Sequence, residues 1–470
     1  MIRARRLAAI AAAMAILVGA CGGAATPAPS AAPSAASPAS AAPSPAASAP
    51  AAASPASAAP SEATPASPAP SIDTTPVTVT VWDYYGESTP VKPALAAFEK
   101  EYPWITVDYQ ALDWDSMNTK FTVGVSSGEA PDVATLDMTW IPTLAANGAL
   151  EDLTAMSGGQ LNGRPIEDQY TKGALDAMTF GGTFVTMLFD FDTYALYYRA
   201  DLLETKGIAV PTTWDELRAA AEALAESSKG SGKPDRYLYA VRPNTFHFSQ
   251  FLFEGGGTIL NADETKAAFN SDAGVAAVDI QKAILDDGSG LYWPDANNDL
   301  IPAITSEQVA MFADGPYYMG LLRTGVPTQS GKWKIALNPF SKQPGSYLGG
   351  TGLGIPVQAK HKDAAWLFIQ YMLRPEQQVG VFTYAGAAPA TTAALESPEL
   401  TKADPYFGGQ APFKVFLDSM ATSSHFPYVG AWTEIDTFIT ESLQAALLGT
   451  ATPKAALDDA ASQTDAALAK

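Results

Sequence analysis

The stretch VAMFADGPYYMG, Val309 to Gly320, poses the problem of this chain. A short apolar strand runs into Asp314-Gly315-Pro316, and Tyr317 and Tyr318 follow at once. Gly-Pro marks the end of the strand. The tyrosines either fill a core or stand out as an aromatic wall for something to rest on. The stretch alone leaves both open.

Around it lies a chain of 470 residues, 47% hydrophobic, with a formal charge of -21. That is ample for a folded core, and the length predicts two or more domains. The start stands apart. Arg3, Arg5 and Arg6 precede an apolar run from Leu7 to Val18, and Val18-Gly19-Ala20-Cys21 closes it. Residues 1–20 have the layout of a secretory signal, too short and wrongly flanked for a membrane span. Small residues before a cysteine resemble the bacterial lipobox, which implies that Cys21 becomes an acylated N-terminus. It is the single cysteine, so no intramolecular disulfide is expected. Loss of the three arginines reduces 28 basic side chains to 25 against 49 acidic ones, a net charge near -24. Such a surface repels phosphate backbones and anionic headgroups. Nucleic acid is therefore not an expected partner, and membrane attachment falls to the lipid.

Residues 21–75 read as a tether. From Ala24 to Pro70 the sequence is almost wholly Ala, Pro and Ser, with Glu62 the one charge. Proline prevents long helices and no core-forming residue is present, so an extended stalk with a reach on the order of 100 Å is expected. The folded part starts near Pro76. Val77, Val79 and Val81 alternate with threonines as in a strand, a helix opens at Pro93, and Ile105 to Tyr109 form a second strand. Thr213 and Glu216 make a capping box ahead of Trp214, Leu217, Ala221 and Leu224. Further helices are expected over His361 to Leu373 and Thr433 to Leu448, the latter stopped by Gly449. Strands alternating with helices predict an α/β fold with more than one sheet.

Few motifs carry reaction chemistry. Gly124-Val125-Ser126-Ser127-Gly128 fits the nucleophile elbow, but an elbow lies between a strand and a helix. Here a helix from Asp115 precedes it and a strand at Asp132 to Leu136 follows. Asp295, Asn297 and Asp299 fit the opening of a calcium loop, yet Leu300 replaces the turn glycine and Ser306 the bidentate glutamate. His247, His361 and His425 lack metal-ligand spacing, and Gly349 to Gly354 fits neither nucleotide loop. No cofactor, catalytic set or metal site is expected.

Aromatics instead gather with carboxylates at strand ends. The groups are Trp82-Asp83-Tyr84-Tyr85, Asp137 with Trp140, Phe189-Asp190-Phe191-Asp192 before Tyr194, Gly315-Pro316-Tyr317, and Phe426-Pro427-Tyr428 before Trp432. In open α/β sheets, ligands sit at the carboxyl ends of strands. A flat ring suits the C–H face of a sugar and a carboxylate accepts from its hydroxyls.

From Val77 onward the chain resembles the bacterial extracellular solute-binding proteins of family 1, which feed ABC importers and include the maltose-binding protein. The resemblance rests on ordered stretches: VTVWDYY, SGEAPDVATLDMTWIPTLAANGALEDLT, YALYYRADLLETKGIAVPTTWDEL, FLFEGGGTIL, EQVAMFADGPYY, GGTGLGIPV and AAWLFIQYMLRPEQQ. It implies two α/β lobes joined by hinge crossings, one over 76–190 plus 339–390 and the other over 191–338 plus 391–470. It also implies a monomer that captures a carbohydrate, hands it to permease subunits and is no enzyme. Tyr317 stands where the family often carries a stacking tryptophan, which makes Tyr317 the ligand wall and Tyr318 core, as neighbours along a strand face opposite ways. Trp432 matches a C-terminal stacking aromatic, Asp192 a hydrogen-bonding acid, and Asp137 with Trp140 a cleft loop. Glu254 and Gly256 match a cleft-side motif, and Tyr84, Tyr85 and Glu87 follow from position. Two other solutes fit the same class: ferric ion through the pairs Tyr84-Tyr85, Tyr197-Tyr198 and Tyr317-Tyr318, and a polyamine through the carboxylates. A secreted hydrolase is the remote alternative.

Overall fold

The computed structural model describes residues 73–226, 237–294 and 300–470. By contacts the chain divides into Met1–Ser71 and Ile72–Lys470, and the second unit holds every described residue. The signal, Cys21, nearly all of the tether and the Asp295-Asn297-Asp299 turn lie outside the described residues.

Twelve strands build two sheets. They are β1 Val77–Asp83, β2 Ile105–Ala111, β3 Val133–Asp137, β4 Met187–Thr193, β5 Ala195–Arg199, β6 Leu238–Val241, β7 Gly290–Tyr292, β8 Val309–Asp314, β9 Trp333–Ala336, β10 Tyr347–Gly354, β11 Ala388–Pro389 and β12 Ser424–His425. The first sheet runs β11-β4-β10-β3-β1-β2, with β12 beside the start of β10, and the second runs β7-β6-β8-β5-β9. In both, parallel strands meet antiparallel ones near the centre: β10 opposes β3 and β4, and β5 opposes β8 and β9.

Local patterns account for the elements. The alternation of β1 buries Val79 and Val81, and the helix Val91–Glu101 turns Val91, Ala94 and Phe98 inward at helical spacing. It begins two residues before Pro93, which sits in its first turn. The expected capping box forms, with Glu216 N donating to Thr213 Oγ1 and Thr213 N to Glu216 Oε2, both at 3.2 Å. The later helices run Lys362–Met372 and Trp432–Leu447, and Gly449 follows at φ 75°. Gly124 to Ser127 close the helix Trp114–Ser127, ahead of β3, so the elbow order is indeed reversed.

One inference from alternation fails on its premise. β8 stops at Asp314, and Tyr318 opens a helix, Tyr318–Gly325, with Tyr317 at its N-terminal cap. Tyr318 is fully buried and accepts from Leu300 N at 3.0 Å, while Tyr317 is half-buried. The two differ because a helix start, not a strand, separates their directions.

The chain passes between the sheets at few points. β4 continues into β5 with only Tyr194 between, three residues past the expected boundary at 190/191, and the 337–346 connection returns the chain to β10. Tyr194 is gripped through its backbone: its carbonyl accepts from Asn338 Nδ2 at 3.0 Å and Ser419 Oγ at 3.0 Å, and its N–H donates to Ser346 Oγ at 3.1 Å.

Asp132, buried before β3, ties three segments together. It accepts from Thr80 N at 2.9 Å, Thr80 Oγ1 at 3.0 Å, Lys360 N at 2.9 Å and His361 N at 3.0 Å. Charge-assisted bonds of this kind leave unsatisfied donors when one partner is deleted. Asp132→Ala is expected to lower stability by about 3 kcal/mol in urea unfolding, and a loss within about 0.5 kcal/mol would contradict this role.

Candidate functional site

The site grows from the end of β1. Asp83, buried, accepts from Tyr109 OH at 2.8 Å, from Thr89 Oγ1, from Thr135 Oγ1 at 3.3 Å and from Tyr85 N at 3.2 Å. Burial raises its carboxyl to about 6 against these donors. The turn it fixes lays Tyr84 on Tyr85, rings stacked with centroids 5.1 Å apart. Both phenols reach Thr351 Oγ1 on β10, at 2.5 and 2.8 Å. Trp140 meets Tyr84 edge-on at 5.6 Å, and Trp114 leans on Trp140 at 5.0 Å. Trp114 Nε1 donates to Asp137 Oδ2 at 2.9 Å, while Thr139 N and Oγ1 hold Asp137 Oδ1 at 2.9 and 2.6 Å.

Beside this platform stand three more carboxylates. Asp190 and Asp192, two apart on β4, share a face of the strand. Tyr347 OH donates to Asp192 Oδ2 at 2.5 Å. From the second sheet, Asp314 ends β8, its Oδ1 accepting from Tyr317 OH at 2.6 Å and Gly315 N at 2.8 Å. Gly315 is required by this approach, since a Cβ there would collide with Asp192 Oδ1 and the Tyr317 ring. Gly350, at φ 147° against the Asp190 carbonyl, is required likewise.

Each of these acids keeps one bare oxygen. Asp190 Oδ2, Asp192 Oδ1 and Asp314 Oδ2 are buried and lack a hydrogen-bond partner. Burial raises Asp190 to about 8 and Asp314 to about 6, the latter restrained by Arg242 and Tyr317. Asp192 is pushed well above the usual carboxylate range by burial and by repulsion from Asp314, Asp190 and Asp137. Burial and the nearby acids raise the Tyr84, Tyr317 and Tyr347 phenols.

Of the residues singled out from sequence, Tyr84, Tyr85, Asp137, Trp140, Asp192 and Tyr317 come together here. The others stand elsewhere. Glu87 is exposed in the single turn Gly86–Ser88. Glu254 is buried at the end of the helix Thr245–Glu254, accepting from Trp214 Nε1 at 2.9 Å. Gly256 is exposed and borders a separate hollow of about 270 Å³ with Phe253, His425 and Pro427. Trp432 is 1% exposed and stacks on Phe426 at 4.8 Å, which in turn stacks on Tyr347 at 5.4 Å, so two rings separate it from Asp192. The sequence reading missed Asp190, Asp314, Tyr347 and Thr351. The Phe-Asp-Phe-Asp alternation signalled Asp190, and nothing local signalled Thr351.

A groove of about 840 Å³ lies away from this chemistry, lined by Arg164, Asp168, Arg374, Glu376 and Thr392 among others. Its lining contains no aromatic ring, so it offers no stacking surface. Nor do the tyrosine pairs assemble a phenolate set. Tyr85 gives its proton to Thr351 and Tyr197 to Gly315 O at 2.7 Å, and Tyr318 OH accepts from Leu300 N. Among the described residues no group of three or more His, Cys, Asp or Glu is placed to hold a metal.

The sequence profile of the bacterial extracellular solute-binding proteins matches residues 85–379. A binding protein of Brucella abortus is 27% identical over 409 residues, 85% of this chain and 94% of that one. The galactooligosaccharide-binding protein of Bacillus subtilis is 21% identical over 393 residues, 82% of this chain and 87% of that one. Among solved structures, the GacH receptor of Streptomyces glaucescens, determined unliganded and with acarbose, has a TM-score of 0.74 at 24% identity, covering 84% of this chain and 98% of that one. The fold is thus the two-lobed type II periplasmic-binding-protein fold, one sheet in each lobe.

The buried acids tie stability to pH. Asp83, Asp190 and Asp314 have folded values above the ordinary unfolded value near 3.8, so the folded state binds more protons between about 4 and 8. Their contribution is therefore present in acid and lost as pH rises through 6 and 8. The ligand-free protein is expected to be more stable near pH 5 than near pH 8.5 in urea unfolding. Asp190→Asn is expected to flatten that slope and raise stability at pH 8.5 by about 1–4 kcal/mol. A slope that is flat or rises over this window contradicts the assignment.

Proposed function

The chain belongs to the bacterial extracellular solute-binding proteins, and on that premise we propose that it is the binding component of an ABC importer, capturing a mono- or oligosaccharide between its lobes and delivering it to a membrane permease. The observation that carries the saccharide is the pairing of the stacked Tyr84–Tyr85 platform with the bare oxygens of Asp190, Asp192 and Asp314. A ring face offers apolar contact to sugar C–H groups, and each sugar hydroxyl supplies a donor that a buried carboxylate lacks. An unmet buried acceptor costs about 1–3 kcal/mol, so a guest that donates to it gains that amount. The Bacillus subtilis relative is named for galactooligosaccharides and the Streptomyces glaucescens receptor was solved with acarbose, which supports the same class of guest.

The carboxylates come from both lobes, β4 in one and the end of β8 in the other, so binding and closure are one event. The rim carries contacts that closure would use: Thr143 Oγ1 donates to Gly430 O at 3.0 Å and lies 3.0 Å from Thr433 Oγ1. No bond in the guest is made or broken. Ser126, the sole elbow candidate, donates to Thr122 O at 2.9 Å within its own helix. No described helix is long and apolar enough to cross a membrane. Retention at the extracytoplasmic membrane face is assigned to acylated Cys21 through the tether, with the protein acting as a monomer. Ferric ion is disfavoured, since Tyr85, Tyr197 and Tyr318 each spend the hydroxyl on a protein partner and the tyrosine pairs form no common set.

Titration calorimetry of the mature chain against mono- and oligosaccharides is expected to find a ligand that also shrinks the radius of gyration. Silence from every sugar would defeat the proposal. Tyr317→Ala is expected to weaken that ligand about 10- to 100-fold with little change in Tm, as its ring is half-buried. Trp432→Ala is expected to act first on the fold, lowering stability by about 3–5 kcal/mol, because its ring is packed in the core. The reverse pattern would exchange their roles.

A further inference from the structure

Proton bookkeeping in the site constrains its guest further. Tyr85 donates to Thr351 Oγ1, Tyr347 to Asp192 and Tyr317 to Asp314. Tyr84 OH and Thr351 Oγ1 lie 2.5 Å apart, one donating to the other. Thr139 and Trp114 likewise give their protons to Asp137. The hydroxyls of Tyr85, Tyr347, Tyr317 and Thr139 are thus engaged as donors within the protein. The bare groups beside them are carboxylate oxygens.

Those oxygens are deeply held: Asp314 is 0% exposed and Asp190 2%, each with one oxygen unpartnered. Three acids, Asp314, Asp190 and Asp137, repel charge on Asp192 here. The cation whose field reaches Asp314 and Tyr317 is Arg242, its guanidinium 4.8 Å from the Trp293 ring centroid. Were these acids ionised together, their charge would exceed that of the one guanidinium that, among the described residues, acts on Asp314. A neutral polyol supplies donors but no charge, so it leaves the mutual repulsion of the acids unrelieved. An ammonium is a pure donor with three protons and a positive charge.

We infer that the saccharide this site is built for carries a protonated amine, as on an amino sugar or aminocyclitol ring, seated against Asp192 and Asp314, which meet at Gly315. The inference rests on the saccharide reading above and narrows its substrate class. Binding of such a guest draws these carboxyls to the ionised state, so protons leave as it binds.

The test is calorimetry of the mature protein at pH 7, in two buffers of different ionisation enthalpy. The probes are pairs that differ only in ammonium for hydroxyl: glucosamine and glucose, deacetylated chitobiose and cellobiose, trehalosamine and trehalose. Spermidine serves as an amine without a sugar. In at least one pair, the amine is expected to bind tenfold or more tightly than its partner, with net proton release. Asp192→Asn is expected to narrow that gap, and Asp314→Asn serves if the first variant misfolds. Neutral sugars that bind as tightly as their amine partners overturn this inference and leave the saccharide reading standing. Spermidine binding while every saccharide stays silent overturns both, as does silence from every probe with the protein folded by circular dichroism.

Discussion

A carboxylate taken out of water needs donors, and in this cleft each central acid is given too few. Asp192 has Tyr347 on one oxygen and Asp314 has Tyr317 and Gly315 on one oxygen, while the second oxygen of each is left bare. The arrangement is costly in the unliganded protein, because burial and mutual repulsion both oppose ionisation. Under the proposed function, that cost favours a donor-rich guest. It also explains why the phenols matter beyond their rings: they hold one side of each carboxylate and so aim the other.

The fold produces this through a chain crossing. β4 and β5 are nearly one continuous strand, broken only at Tyr194, so residues on either side of the crossing belong to different sheets. Asp190 and Asp192 are thereby carried to the lip of one lobe, and the end of β8, paired with β5, brings Asp314 and Tyr317 from the other. Glycine makes the approach feasible at Gly315 and Gly350, where any side chain would strike the acid or the strand that bears it. The donors grouped on Tyr194 stiffen the crossing, which suits a hinge that must rotate without losing register.

Much of the architecture was legible because it is written in local periods. The alternation of β1, the Thr213–Glu216 box and the Gly449 stop are each set by residues within a few positions of one another. The platform was legible in part, since Tyr84, Tyr85 and Trp140 stand at visible strand ends. Thr351 was not, because its partnership with Tyr84 spans 267 residues and exists only once β10 lies beside β3. Glu254 stands apart from the platform: Trp214, 40 residues away in sequence, donates to its buried carboxyl. Tyr318 is buried and Tyr317 half-buried because the chain turns into a helix where an extended strand was expected.

The central claim concerns three oxygen atoms, and a crystal structure of the protein grown with a saccharide that binds in solution tests it most directly. The account predicts donor groups of the guest within hydrogen-bond distance of Asp190 Oδ2, Asp192 Oδ1 and Asp314 Oδ2, with a sugar face against the Tyr84–Tyr85 platform. A guest lodged elsewhere, for instance in the groove bounded by Arg164 and Arg374, with those three oxygens still bare, would contradict it.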